Sequence, residues 1–158
     1  MNIEAKIKQL GFDLTNYKRD VNKKFAAIIT DIDTIYVSGH AAKYKNELLF
    51  PGIVGREVTV SQAKEAMVCA LFNCLATVKD EIKSLDNIKS FLHIKCYVAI
   101  EDSLYNELPE ISDYLTDKLY EIFEEKGTHT RTTVGVNVLP GNTSVEVEMI
   151  LKILEEIE

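Results

Sequence analysis

Apolar residues recur at the spacing of an amphipathic helix in three parts of the chain. The longest pattern predicts a helix on the apolar positions Val60, Ala63, Met67, Ala70, Leu71, Cys74, Leu75, Val78 and Ile82. Thr59 and Gln62 have the spacing of a capping box at its start. Its middle, 67–72, is apolar nearly all round, so we expect this helix to be covered on two sides. Shorter patterns predict helices over 2–10 and 106–126, each followed by a glycine.

Alternation of apolar and polar residues, the period of a β-strand, predicts the remaining elements. The predicted strands are 25–30, 34–39, 88–100, 130–138 and 144–153. A turn is expected at 31–33, and a turn followed by a strand in 43–50. The segment 139–143 is expected to turn the chain between the last two strands. In 88–100 we expect a buried face made of Ile88, Leu92, Ile94, Cys96, Val98 and Ile100.

The predicted order of elements is helix, three strands, helix, strand, helix and two strands. This order indicates an α+β fold, in which one face of a sheet carries both long helices. The chain has 158 residues, of which 46% are hydrophobic, and it can bury a core without disulfides or a structural metal. We therefore expect a single domain over 1–158.

Two charged residues on the last two predicted strands are candidates for substrate binding and catalysis. Arg131 and Glu146 alternate with valines that are expected to pack under the helices. The polar face opposite the valines should then carry Arg131, Glu146, Thr133, Gly135, Asn137 and Glu148. A guanidinium can bind a substrate carboxylate, and a carboxylate can move a proton or orient water. An exposed cross-strand ion pair is the simpler interpretation. However, Phe91, Tyr97 and Ile150 are also expected on polar faces, which indicates contact with another surface, such as a second subunit.

Charge and motifs exclude several classes of protein. The chain has 18 basic and 25 acidic side chains, a net charge of −7, which disfavours nucleic-acid binding. The longest apolar run, 67–72, is too short to cross a membrane, and we find no secretory signal, so we expect a cytoplasmic protein. Phosphate-loop and dinucleotide motifs are absent from the sequence. Neither Cys69 with Cys74 nor His93 with Cys96 converges as a ligand pair, so we expect reduced core thiols and no metal site.

Three motifs carry a resemblance to a known family. They are IYVSG at 35–39, RTTVGVNVLP at 131–140 and VEVE at 145–148. On these motifs the chain resembles the RidA/YjgF family, the reactive-intermediate deaminases, as a divergent and somewhat longer branch. The resemblance places a family-like core at 25–153, after an N-terminal helix and lead-in at 1–23.

The resemblance implies a chorismate-mutase-like α+β fold and a homotrimer with pockets at the subunit interfaces. It implies hydrolysis of reactive 2-imino or enamine acids to 2-keto acids and ammonia, with no cofactor. In that reaction Arg131 would bind the carboxylate of the small substrate, and Glu146 would orient water or shuttle its proton. The further substrate-binding residues that it implies are Ser38, Gly39, Phe25 and Thr133.

Three departures from the family pattern bear on activity. Phe25 stands where the typical deaminase has tyrosine, Thr133 where cysteine is common, and 107–113 offers no match to a pocket asparagine. The lost tyrosine hydroxyl keeps open a second hypothesis, a trimeric protein that binds a carboxylate metabolite without turnover. A third hypothesis, ribonuclease or translation-inhibitor activity, is disfavoured by the acidic charge. His40, after the Ser-Gly pair, is expected in a turn, with a catalytic role as the alternative.

Overall fold

The computed structural model describes residues 1–17 and 24–155. Its α-helices are α1 (Ile3–Gln9), α2 (Val60–Ile82) and α3 (Leu108–Phe123). Its strands are β1 (Ile28–Asp31), β2 (Thr34–Ala41), β3 (Lys43–Tyr44), β4 (Glu47–Leu48), β5 (Ile88–Ala99), β6 (Thr130–Val136) and β7 (Val145–Ile153). The predicted order is confirmed, except that 43–50 forms the short hairpin β3–β4 rather than one strand. Of the predicted lead-in, 18–23 lie outside the described residues.

The main sheet is mixed and has the strand order β1-β2-β7-β5-β6. Strands β5 and β6 are parallel, and the other neighbours are antiparallel. A parallel pair needs a long crossover, which α3 supplies between β5 and β6. Because β5 lies between β6 and β7, the last two strands are not neighbours. The segment 139–143 therefore leads from the edge of the sheet back to its centre.

Helix α2 is the buried centre of the fold. Its capping box is formed, because the Thr59 hydroxyl accepts the Gln62 N–H at 3.1 Å and the Gln62 amide oxygen accepts the Thr59 N–H at 3.0 Å. One side of α2 packs on β2 and β7, and another packs on α3. Phe72 also contacts the rings of Phe12 and Tyr17, at centroid distances of 4.4 and 5.2 Å. The predicted cover on two sides is confirmed.

Helix α3 is amphipathic as predicted, with its apolar side turned inward. The buried residues include Ile111, Leu115, Leu119 and Ile122. The regular helix is shorter than the predicted 106–126, because 3₁₀ turns at Asp102–Glu107 and Glu124–Gly127 flank it. A Cβ on Gly127 would lie 2.8 Å from the Leu119 carbonyl oxygen, so the close return of the chain requires glycine there.

Strand β5 departs from the predicted alternation near its start. Its register with β7 shifts between Phe91 and His93, which indicates a β-bulge. Phe91 is 3% exposed and packs edge-on against Phe123, whereas Leu92 is 39% exposed. The predictions of a buried Leu92 and of Phe91 on the polar face are therefore wrong, because the bulge changes the face of both residues. From Ile94 onward the predicted alternation is confirmed.

The main sheet has a helix face, covered by α2 and α3, and an open face. On the helix face, Cys74 of α2 donates its thiol hydrogen to the Val147 carbonyl at 3.3 Å. Register pairing places on the open face the side chains of Ile29, Tyr36, Lys95, Tyr97, Glu148 and Ile150. The exposed fractions of Ile29 and Tyr36 are 59% and 48%. Both long helices thus lie on one face, as predicted.

Candidate functional site

A β-bulge in β2 creates the first part of the candidate site. Val37 pairs with Met149 and His40 with Val147, so β2 has one more residue than β7 over this stretch. The extra residue falls in the Ser-Gly pair of the sequence motif. Ser38 fixes the bulge, because its hydroxyl donates to the Ala26 carbonyl at 2.7 Å.

Glu146 lies directly against this bulge. In β7 it pairs with Tyr97 on the open face. A Cβ on Gly39 would lie 2.8 Å from the Glu146 carboxyl carbon, so the carboxylate approaches β2 closely only because residue 39 is glycine. Burial raises the pKa of Glu146, and the nearby Glu148 raises it further. Such a carboxylate is a better proton acceptor than an exposed one.

His40 lies in β2 under helix α2, and its expected place in a turn is wrong. Its Nδ1 lies 2.6 Å from the Ser38 carbonyl oxygen, and its Nε2 lies 2.8 Å from the Thr77 hydroxyl. A carbonyl only accepts, so Nδ1–H donates to Ser38, while Nε2 shares a hydrogen bond with the Thr77 hydroxyl. The imidazole thus ties the bulge to α2, which makes it a positioning group for the site.

These residues border a cavity of about 460 Å³ at the end of β2. Its lining includes Phe25, Ser38, Gly39, His40, Lys43, Asn46, Leu48, Asn73, Pro140, Gly141 and Glu146. Asn73 of α2 holds one wall in place, since its amide donates to the carbonyls of Ala41 and Lys43 at 3.1 and 2.8 Å. Phe25 is 59% exposed, so its ring borders the cavity without closing it.

Four predicted site residues therefore meet in this cavity, namely Phe25, Ser38, Gly39 and Glu146. Sequence reasoning missed Asn73 and the wall formed by β3–β4. The helical pattern of α2 contains a signal for Asn73, because it is a polar residue beside apolar positions that a buried helix would otherwise fill.

Arg131 and Thr133 lie on the helix face instead. They pair in register with Ile94 and Cys96, whose side chains are buried under the helices. Residues paired in register point to the same face of a sheet. The prediction that Arg131 and Thr133 share a face with Glu146 is therefore wrong.

The physical reason is a polar side of α3. The Arg131 guanidinium donates to Asp113 Oδ1 and to Thr116 Oγ1, both at 2.8 Å. The Thr133 hydroxyl donates to Ser112 Oγ at 2.7 Å. Because α3 offers these partners, Arg131 and Thr133 face the helix, whereas Thr132 and the valines of β6 lie on the open face. The ion pair of Arg131 is therefore with Asp113, and the cross-strand pair with Glu146 does not form.

His129 extends this polar cluster. Its Nδ1 lies 2.6 Å from the Gly127 carbonyl oxygen, and its Nε2 lies 3.2 Å from Thr116 Oγ1. Burial lowers the pKa of His129, and the nearby Arg131 charge lowers it further, so the ring is neutral near pH 7. With Nδ1–H donating to the carbonyl, Nε2 accepts from Thr116. The lone pairs of the Thr116 oxygen are thereby turned toward Arg131.

The cysteines lie in the core as expected. Cys69, Cys74 and Cys96 are free thiols and buried, and burial raises the pKa of Cys69 and of Cys96 to about 12. Within the described ranges, no group of three or more His, Cys, Asp or Glu side chains is arranged to hold a metal ion. Among the same residues, no helix has the length and apolarity needed to span a membrane.

Known protein structures share the fold of this chain. The sheet and helices superpose on the Escherichia coli YjgF gene product with a TM-score of 0.60 at 14% identity, over 87% of this chain and 94% of that one. The chorismate-mutase-like fold is thus confirmed. The crystal structure of Atu1372, a protein of unknown function from Agrobacterium tumefaciens, superposes with a TM-score of 0.87. The two sequences are 29% identical, and the match covers 96% of this chain and 92% of Atu1372.

Sequence comparison agrees with the structural likeness. Protein TCP17 of Trypanosoma cruzi is 22% identical over 152 residues, which is 96% of this chain and 94% of TCP17. A family model described as "YjgF/chorismate_mutase-like, putative endoribonuclease" matches residues 6–153. On a match that spans nearly the whole sequence, the chain belongs to the YjgF/RidA family.

Proposed function

We propose that this protein hydrolyses reactive 2-imino or enamine acids to 2-keto acids and ammonia without a cofactor. The observation that carries the proposal is the Glu146 carboxylate, which is partly buried, has a raised pKa and lies against Gly39 in a cavity large enough for a small acid. Family membership and the Ser38-Gly39 motif support it.

Glu146 would act on the attacking water. The water oxygen bonds to the imine carbon while Glu146 accepts one of its protons. That proton is then delivered to the nitrogen, which gives a carbinolamine. As its carbon–nitrogen bond breaks, the hydroxyl proton also passes to the nitrogen, so the products are a keto acid and ammonia. An imine hydrolyses readily in water, so the protein has only to position the water and supply a proton acceptor.

Arg131 would bind the substrate carboxylate from a neighbouring copy of the chain. Within one copy, Arg131 and Glu146 lie on opposite faces of the sheet. A homotrimer that packs the open face of one subunit near the edge strand β6 of another would bring them together. The exposed Ile29 and Tyr36 on the open face support such packing, since large apolar side chains are well suited to an interface.

Phe25 and Thr133 would have reduced roles in this branch. Phe25 carries no hydroxyl and would offer the ligand an apolar surface at the cavity. The Thr133 hydroxyl is engaged with Ser112, so Thr133 would contact the ligand through its backbone, which lies on the edge strand of the sheet.

The test is the rate at which 2-iminobutanoate disappears. The imine is generated in situ by a threonine dehydratase, and semicarbazide traps what the protein leaves. We expect acceleration by wild type, a loss of about 10²-fold or more in Glu146→Gln, and a loss in Arg131→Ala with the oligomer intact by light scattering. Loss of such an arginine–carboxylate contact should weaken transition-state binding by about 2 to 5 kcal/mol.

Glu148→Gln is the matched control. Glu148 is two residues along the same strand and on the same face, where it accepts a hydrogen bond from Tyr97 at 2.7 Å. The variant should keep its activity, with the pH profile moved to lower pH because Glu148 raises the pKa of Glu146. Wild-type turnover in Glu146→Gln would refute the assigned role.

A second candidate is a trimeric protein that binds a carboxylate metabolite without turnover. Phe25 favours it, because the hydroxyl of the typical deaminase is missing at the cavity. Saturable binding of 2-oxobutanoate by calorimetry, with no acceleration of imine loss, would support this candidate. Turnover that depends on Glu146 would exclude it.

A further inference from the structure

The Arg131 guanidinium is already bonded to a carboxylate of its own chain. Its Nη2 donates to Asp113 Oδ1 at 2.8 Å, and its Nη1 donates to Thr116 Oγ1 at 2.8 Å. The Arg131 side chain is 22% exposed and that of Asp113 is 60% exposed. One end of the guanidinium is thus held by a neutral hydroxyl and the other by an exposed negative charge.

A ligand carboxylate would compete with Asp113 for the Arg131 guanidinium. Bidentate binding uses two parallel N–H groups, and Nη2, which contributes to each such pair, already donates to Asp113 Oδ1. An ion pair with a largely exposed partner is weak and can exchange. An incoming carboxylate would therefore displace Asp113 toward water, while Thr116 continues to hold the arginine.

We propose that Asp113 is a specificity-determining residue, an internal carboxylate that competes with carboxylate ligands for Arg131. This rests on the proposed function, in which Arg131 binds the substrate carboxylate. Asp113 weakens the binding of any carboxylate, and the ligands it disfavours most are those that contact the arginine through one oxygen only. It leaves the affinity for uncharged ligands unchanged.

The test variant is Asp113→Asn, which keeps the shape and an accepting oxygen but removes the charge. We expect its KM for 2-iminobutanoate to fall about three- to tenfold with kcat unchanged. Calorimetry should find the same gain for 2-oxobutanoate and no gain for 2-oxobutanamide, which lacks the negative charge. A merely structural role for Asp113 would not separate these two ligands.

Glu110→Gln is the matched control. Glu110 is also on α3, its side chain is 57% exposed, and its ion pair is with Lys64 rather than Arg131. It should leave both affinities at their wild-type values. Asp113→Ala provides a second variant, in which the accepting oxygen is removed as well and the gain for the carboxylate should persist.

The outcomes separate this inference from the proposed function. A KM that is unchanged or raised in Asp113→Asn, in a protein whose turnover depends on Arg131, overturns the competition and makes Asp113 a support for the arginine. If wild type neither turns over the imine nor binds the keto acid, the proposed function fails, and the competition fails with it.

Discussion

Adding a single methyl group at Gly39 tests the candidate site. A Cβ there would lie 2.8 Å from the Glu146 carboxyl carbon and 2.9 Å from Oε1, whereas ordinary contact begins at 3.4 Å. In Gly39→Ala the carboxylate must therefore move by roughly 0.6 Å or more. Because these atoms end a flexible side chain, we expect the fold to persist, with about 1 kcal/mol of lost stability.

The expected loss of activity is much larger than the loss of stability. Misplacing a reacting group by about 1 Å can lower a rate about 10²-fold, so we expect kcat for imine hydrolysis to fall by that order. The semicarbazide competition assay measures kcat, and urea unfolding measures stability. In a Glu146→Ala background the carboxylate is gone, so the added methyl should lower neither quantity further.

Two results would refute this reasoning. One is a kcat for Gly39→Ala within twofold of wild type, since the carboxylate position would then not matter. The other is an equal loss of stability in both backgrounds, which would mean that the methyl meets something other than Glu146.

Three further predictions address the fold around the site. Glu146→Gln should raise the free energy of unfolding at pH 7 but not near pH 4 in urea titrations. Burial raises the pKa of Glu146 above 4.5, so this carboxyl binds its proton more tightly in the folded protein than in the unfolded chain. The wild-type protein therefore loses stability as the pH rises and the carboxyl ionises. Phe91→Ala should lower that free energy by about 3 to 5 kcal/mol, whereas Leu92→Ala should change it by about 0.5 kcal/mol. Thr77→Val removes the hydroxyl partner of the His40 imidazole and should lower stability by about 1 to 3 kcal/mol in thermal unfolding.

Each of these has a clear contrary result. A stability gain in Glu146→Gln that is the same at both pH values would come from something other than the ionised carboxylate. Equal effects at Phe91 and Leu92 would argue against the bulge in β5. A neutral Thr77→Val would mean that the hydroxyl contributes nothing to holding the imidazole.

Strong periodicity made the helices predictable, and its interruptions made some faces unpredictable. Helix α2 has apolar residues at most of its inward positions and a capping box, so its bounds follow from the sequence. A bulge leaves no comparable pattern in the sequence, so the predicted faces of Phe91 and Leu92 were wrong. In β6 the valines suggested the buried face, but the polar groups of α3 reverse the preference.

The cavity residues were predictable only as far as a motif carried them. Ser38, Gly39 and Glu146 lie in motifs, and the structure brings them together. Asn73 acts through hydrogen bonds to residues 30 or more positions away. Asp113, 18 positions before Arg131, becomes its partner only through the packing of α3 on β6. Such contacts depend on tertiary structure and have no local signature.

The position of β7 in the sheet has a consequence for how the chain is made. This strand follows the other strands of the sheet in sequence, yet it lies between β2 and β5. During synthesis, the β1–β2 hairpin and the β5–β6 unit each keep an unpaired inner edge until residues 145–153 have left the ribosome. Unpaired edges are sites of aggregation, so the newly made chain is vulnerable until that late insertion joins the two halves.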